Sequence, residues 1–330
     1  MPSALQQQIR RTLTRHELCP PGSRVLVGLS GGSDSVGLLL LLRDASAHGG
    51  FQLAGAAHFN HGARATSERD EDFCRDLTSR LDVPFLRDGA DVRRVAETER
   101  TSFEECARRL RYAFLHRAAQ DLGADRVAVG HTRDDQAETF LLKLARGAGA
   151  TGLGAVYPRR GEVIRPLLDV SRENVRSWLR ERGQAWVEDE TNADLCNPRN
   201  RIRHRVLPEL DGAYGGPTRA QLARAAELAR EDSQWLDAQA AARLDVLGRK
   251  RPDCLEFDAA ALLVEPAPLR RRLLLQAMRS MADGREVGLE HVESAAEVLR
   301  GERRGADVPG SRWELRPPNL VLYRQGRSPA

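Results

Sequence analysis

Six residues at the end of an apolar run carry the densest chemical signal in the chain: Ser30-Gly31-Gly32-Ser33-Asp34-Ser35. They follow Val25-Leu-Val-Gly-Leu29, a run of strand length, and precede Val36-Gly-Leu-Leu-Leu-Leu-Leu42, a run of helical length. The pattern specifies a buried parallel strand, a tight turn and a helix start. Such a turn leaves backbone N–H groups unpaired at the positive end of a helix dipole, which suits an anion and in enzymes commonly a phosphate. A plain capped strand–helix junction also uses glycine and serine. Five small residues in six positions exceed what packing alone calls for.

The loop excludes two familiar phosphate cradles. It lacks the lysine of a Walker loop, the chain having only Lys143 and Lys250, and its spacing is not Gly-x-Gly-x-x-Gly. Asp34 beside a polyphosphate would be repelled unless a divalent cation lay between them, which points to Mg²⁺.

A second constellation follows the next strand-like run, Arg126-Val-Ala-Val-Gly130, as His131-Thr132-Arg133-Asp134-Asp135-Gln136-Ala137-Glu138. Asp134 reads as a helix cap. Asp135 and Glu138 stand three apart, hence on one helical face, where a carboxylate pair suits Mg²⁺ coordination or deprotonation of an amine. His58 and His61 close another strand, Gln52 to Ala57; strand-end packing or nucleotide contact is preferred there to a metal pair. Arg199, Arg201, Arg203 and Arg205 form the sharpest basic cluster, on a helix as two i,i+4 pairs suited to a polyanion.

The elements that must position these groups alternate. Helices are expected over 34–43, 67–81 (capped by Thr66 or Ser67), 102–121 and 172–183 (capped by Ser171), with strands at 83–87 and 163–167 between them. In helix 102–121 a capping box of Ser102 and Glu105 is expected, with Phe103, Ala107, Leu110, Phe114 and Ala118 on the packed face and Arg108, Arg109 and Arg111 on the other. Strands alternating with helices give a doubly wound, mostly parallel α/β sheet. Residues 146–157, with four glycines, read as a flexible substrate-entry loop. Asp211-Gly-Ala-Tyr-Gly-Gly-Pro217 is the best boundary, dividing a 1–210 catalytic domain from a smaller, mainly helical 211–330 domain. In the latter, helices are expected at 218–247, 268–281 and 288–300, with short strands near 255–257, 312–315 and 320–323.

Composition sets limits. At 330 residues and 41% hydrophobic content the chain can build two cores. No apolar run reaches the ~18 residues that span a bilayer, and residues 1–20 lack a signal-peptide core, so a cytoplasmic protein without a membrane partner is expected. Five scattered cysteines without a Cys-x-x-Cys pair argue against a disulfide framework or a four-cysteine metal site. A net charge of +4 means that any nucleic-acid contact must come from local clusters.

The glycine loop resembles the Ser-Gly-Gly-x-Asp-Ser pyrophosphate-binding loop of the N-type ATP pyrophosphatase (PP-loop) superfamily, whose members cleave ATP between α and β phosphates and adenylate a substrate. Three further stretches resemble tRNA(Ile)-lysidine synthetases: Phe103-Glu-Glu-Cys-Ala-Arg-Arg-Leu-Arg-Tyr112, the run from Gly130 to Gly149, and Asp189 to Pro208 with Thr191-Asn192 and Arg199-Asn-Arg-Ile-Arg203. The resemblance covers residues 24–210 and implies that ATP and Mg²⁺ adenylate the wobble cytidine of tRNA(Ile) bearing a CAU anticodon. Free lysine then attacks C2, releasing AMP and forming lysidine. It further implies ATP binding by Ser30, Gly31, Gly32, Ser33, Asp34, Ser35 and His58, and Mg²⁺ on Asp34 and Asp135. Arg108 or Arg203 would offset charge at the α-phosphate, and Asp135 or Glu138 would bind or deprotonate lysine. Residues 211–330 would recognise tRNA, and oligomeric state, a homodimer included, is left open. The sequence departs from the family at His131-Thr132, where two histidines are usual, and at Asn60, where an aspartate is usual. Competing readings are a PP-loop tRNA thiolase, which generally needs paired cysteines, and a small-molecule amidating ligase, which needs an ammonia source.

Overall fold

A computed structural model describes residues 2–62, 67–188 and 195–324. The chain forms two compact units, Met1–Leu228 and Ala229–Ala330. In the first, five parallel strands and one antiparallel edge strand make a six-stranded sheet. The strands are β1 (Arg24–Gly28), β2 (Gln52–Asn60), β3 (Phe85–Gly89), β4 (Arg126–Ala128), β5 (Arg159–Arg160) and β6 (Val163–Ile164), in the order β3-β2-β1-β4-β6-β5. β1 pairs in parallel with both β2 and β4, so the sheet reverses direction of growth at β1. Ligands of open α/β sheets bind at that point, outside the carboxyl ends of the strands.

Side-chain alternation along β1 explains why both faces are covered. Val25 and Val27 enter one core with α1 (Ala4–Arg15), α2 (Ser33–Gly49), α3 (Ser67–Arg80) and α8 (Arg172–Glu181). Leu26 enters the opposite core, against Phe114, Leu115, Ala118 and Ala119 of α5 (Phe103–Asp121). α2 and α8 approach closely because Gly37 has no side chain: a Cβ there would stand 2.3 Å from Val175 Cγ1. That contact fixes the start of α8 near the loop after β1.

Several local expectations need correction. Phe103 is 40% exposed and drops out of the packed face of α5, which keeps Ala107, Leu110, Phe114 and Ala118 and adds Cys106, Leu115 and Ala119. The glycine-rich 146–157 stretch contains a short helix, α7 (Ala150–Leu153), with its neighbour α6 (Arg133–Ala145) held to it by Gln136 Oε1 accepting from the Val156 N–H at 2.8 Å. The expected strand 163–167 shortens to β6, with Arg159–Arg160 pairing back on it. The arginine run is not one α-helix. α9 (Pro198–Arg201) passes into a π-helical turn, Ile202–Val206, before α10 (Leu207–Tyr214). Thr66 and residues 189–194 lie outside the described residues.

α4 (Val92–Glu99) completes the helices of the first unit, and α11 (Thr218–Leu247) runs across the division between the two. The second unit sets α12 (Ala259–Val264), α13 (Ala267–Met281) and α14 (Leu289–Leu299) with a five-stranded antiparallel sheet. Its strands are β7 (Gly248–Lys250), β8 (Cys254–Asp258), β9 (Gly305–Val308), β10 (Ser311–Arg316) and β11 (Asn319–Arg324), ordered β7-β8-β11-β10-β9. Trp313, Phe257 and Leu273 centre its own core. Among the described residues, no helix is long and apolar enough to cross a membrane.

Candidate active site

The loop after β1 is built to keep donors free. Gly31 takes φ +87°, a conformation open to glycine, and its carbonyl accepts from the Val187 N–H at 2.9 Å. Gly32 is the N-cap of α2 and offers no side chain to the helix's first-turn N–H groups. Ser35 braces the turn from inside: its Oγ accepts from the Ser30 N–H at 3.1 Å and donates to the Gly32 carbonyl at 3.0 Å. Behind the loop, His58 is buried with its Nδ1–H donated to the Leu29 carbonyl at 2.9 Å, and burial lowers its pKa. The end of β4 abuts the same helix start. A Cβ on Gly130 would stand 3.0 Å from the Asp34 carbonyl carbon, so glycine permits this approach.

Across the crevice, α6 presents its acids through an unusual cap. Thr132 is the N-cap, and Asp135 Oδ2 accepts from both the Thr132 N–H (2.7 Å) and Oγ1–H (2.8 Å). Oδ1 is left facing the site, where Arg199 donates to it at 2.6 Å and Arg172 at 3.1 Å. Asp134 does not cap α6. Its Oδ2 accepts from the Arg172 N–H at 2.8 Å, so it caps the start of α8 instead. Glu138 has no exposed surface: Oε1 accepts from Arg203 Nε at 2.6 Å, and Oε2 from Arg199 Nε at 2.7 Å.

The structure therefore brings Asp34, Asp135, Glu138 and Arg203 into one network. Arg108 stays outside it, exposed, with its guanidinium 4.8 Å from the Tyr112 ring centre. Two site residues escaped the sequence reading, Arg172 and Arg176, one helical turn apart on α8. Arg172 Nε donates to Asp34 Oδ2 at 3.0 Å, and Arg176 Nε donates to Ser33 Oγ at 3.3 Å. Their i,i+4 spacing behind the Ser171 cap was the available signal. Arg199, noted only as part of a basic cluster, joins Asp135 to Glu138, as Arg172 and Arg203 also do.

Burial is the largest influence on Asp34 and raises its pKa, with Arg172 acting the other way. Burial also pushes Asp135 upward, yet Arg172 and Arg199 together outweigh it and hold that carboxyl well below the usual range. His131, beside Asp135, Arg165, Arg111 and Arg199, is pushed by burial down to about 3, so its ring is neutral. The Nε of Arg111 and the Nδ1 of His131 are buried without a hydrogen-bond partner. Polar atoms left so are suited to a ligand group.

Asp34 and Asp135, on the helices that follow the adjacent parallel strands β1 and β4, are a hard-oxygen donor set of the kind Mg²⁺ takes, and the guanidinium of Arg172 already pairs with both as a cation. Among the described residues, no group of three or more His, Cys, Asp and Glu gathers as a metal site, so any ion here would also need oxygens from a nucleotide or water. Cys74 and Cys106 are buried and Cys196 is exposed.

A PP-loop domain model matches residues 1–210. A tRNA(Ile)-lysidine synthase of Geobacter sulfurreducens is 36% identical over 327 residues, 97% of this chain and 67% of the relative. The chain belongs to the PP-loop family and, within it, to the tRNA(Ile)-lysidine synthases. The corresponding protein of Thermus thermophilus is 42% identical over 291 residues, 88% of this chain and 54% of the relative. The chain thus spans about half the length of the Thermus protein. A U34-tRNA thiolase of Methanococcus maripaludis superposes with a TM-score of 0.58 at 18% identity, covering 68% of this chain and 78% of that one, which shows a shared fold. The Ser30–Ser35 turn lies within the matched residues, and α6, α8 and α9 supply the charged side chains that engage it and one another.

Proposed function

We propose that this chain ligates free lysine to C2 of the wobble cytidine of tRNA(Ile) carrying a CAU anticodon, using ATP and working in the cytoplasm. O2 of the cytidine attacks the α-phosphorus and pyrophosphate leaves. The lysine amine then attacks C2, the C2–O2 bond breaks, and AMP departs with that oxygen. The observation that carries the reading is the convergence of Asp34, Asp135 and Glu138 on one arginine network beside a glycine loop with free helix-terminal donors.

Each group has a task that its surroundings favour. First-turn N–H groups of α2 receive the pyrophosphate, and Arg176 adds a cation at Ser33. Asp34 and Asp135 would hold Mg²⁺, which supplies charge neutralisation on the polyphosphate. Lysine reaches the site protonated, its amine having an ordinary pKa near ~10.4. Asp135, held strongly ionised with Oδ1 facing the site, fits binding the ammonium, and Asp135 or Glu138, which share the same arginines, is the proposed proton acceptor. Of Arg203 and Arg108, Arg203 lies in the carboxylate network and Arg108 outside it, so Arg203 is the one proposed to answer charge at the α-phosphate. Residues 211–330 form the proposed tRNA-recognition domain.

The test is incubation of unmodified tRNA(Ile) with ATP, Mg²⁺ and labelled lysine. Label in tRNA with stoichiometric AMP and pyrophosphate is expected. Release of AMP without label, or sulfur transfer from an added donor, would overturn the reading.

A further inference from the structure

Arg172 spends its three guanidinium nitrogens on three different carboxylates. Nε lies 3.0 Å from Asp34, one terminal nitrogen 3.1 Å from Asp135, and the other 3.6 Å from Glu138. Arg199 and Arg203 answer Asp135 and Glu138, but of the three arginines Arg172 alone has an ion pair with Asp34. Three arginines against three carboxylates make the cluster neutral. A divalent ion added to that cluster would leave two uncompensated positive charges in a site largely withdrawn from water.

Resting on the function proposed above, we propose that Arg172 is an exchangeable counter-cation of the Asp34–Asp135 pair. It occupies the pair before nucleotide arrives, leaves it when Mg²⁺ binds, and carries its charge to the polyphosphate held by the glycine loop. Only the side chain needs to move. The Arg172 N–H is tied to Asp134, Val175 and Leu179 are fully buried, and Val175 packs at Gly37, so the helix start is fixed. The destination is within reach, since Arg176, one turn further along α8, already touches Ser33 in the loop. Exchange prevents the acids from binding a stray divalent ion tightly while no ATP is present.

The test is Mn²⁺ binding to the nucleotide-free protein, followed by electron paramagnetic resonance. Exchange predicts that Arg172→Gln binds Mn²⁺ ~10-fold more tightly than wild type, while Arg199→Gln, which strips a similar charge without touching Asp34, gains far less. Arg172→Lys keeps a charge for folding but cannot span both carboxylates, and should gain an intermediate amount. Adding Asp34→Asn to Arg172→Gln should abolish the gain. Equal gains for Arg172→Gln and Arg199→Gln, no gain in Arg172→Lys, or a gain surviving Asp34→Asn would each overturn the proposal. Because this readout uses neither tRNA nor lysine, a wild type that forms no lysidine would sink the proposed function and leave the exchange standing.

Discussion

Arg203 Nε donates to Glu138 Oε1 across 2.6 Å, joining the π-helical turn 202–206 to helix α6. Glu138 is entirely buried, so its charge depends on that arginine and on Arg199. Glu138→Gln should therefore destabilise the first unit. Breaking a buried ion pair by removing one partner costs about 3–5 kcal/mol, and the lower end applies because Arg199 is partly hydrated. Thermal unfolding of Glu138→Gln, Arg203→Ala and the double variant checks this. The double should lose less than the sum of the singles, because the partner of each deletion is already gone. Additive losses would mean the pair is not coupled.

Gly130 makes a sharper test of the crevice. An alanine there must displace the α2 start, whose Asp34 backbone lies 3.0 Å from the new Cβ and whose Ser35 N lies 3.1 Å away. Overpacking of this kind costs about 1–3 kcal/mol. The strain falls on the loop's free donors, so Gly130→Ala should bind ATP more weakly in calorimetric titration while its far-UV spectrum stays that of wild type. Unchanged ATP affinity would show that the loop tolerates the shift.

The parts of this site that were legible in the sequence are those written locally. Ser30–Ser35 is a turn whose chemistry lies within six residues, and Asp135 and Glu138 share a face by helical spacing alone. The span Thr218–Leu247 was likewise readable from one sustained pattern. Arg172 and Arg176 were not, because on their own helix they look like solvated charges behind a serine cap. Their role arises from Val175 packing at Gly37, a contact between segments ~138 residues apart that no local pattern encodes. The π-turn was missed because the i,i+4 spacing of Arg199 and Arg203 reads the same as that of a regular α-helix. β5, β7 and β9 are two to four residues long, too short to show alternation.

His131 gives the first unit a pH dependence of known sign. Its folded pKa lies at about 3, against 6.5 for the ordinary group, so between these values the unfolded chain binds a proton that the folded chain refuses. Stability is then fully present above pH 6.5 and falls as pH drops toward 3. From pH 6.5 to 5 the loss is about 2 kcal/mol for this one group. Asp135, depressed below its usual 3.8, adds a further loss only at more acid pH. Urea unfolding at pH 7 and pH 5 should show the decline, and His131→Gln should flatten it. An equal slope in the variant would assign the dependence to other groups.

Among the described residues, the acids that engage Arg199 and Arg203 form no ion pair with Arg201 or Arg205, and both of these are exposed. If this helix faces the tRNA, as the proposed function requires, the two supply phosphate contacts and not catalysis. Each neutralised phosphate contact on a duplex contributes a slope of about −0.9 to log affinity against log salt. Replacing both by glutamine should weaken tRNA binding most at low salt and reduce the magnitude of that slope by about 2. ATP binding measured without tRNA should stay at the wild-type level, since neither side chain touches the loop or the carboxylates. A salt slope equal to wild type would move the tRNA-binding face elsewhere, whereas a fall in ATP affinity would mean that these arginines support the site from behind.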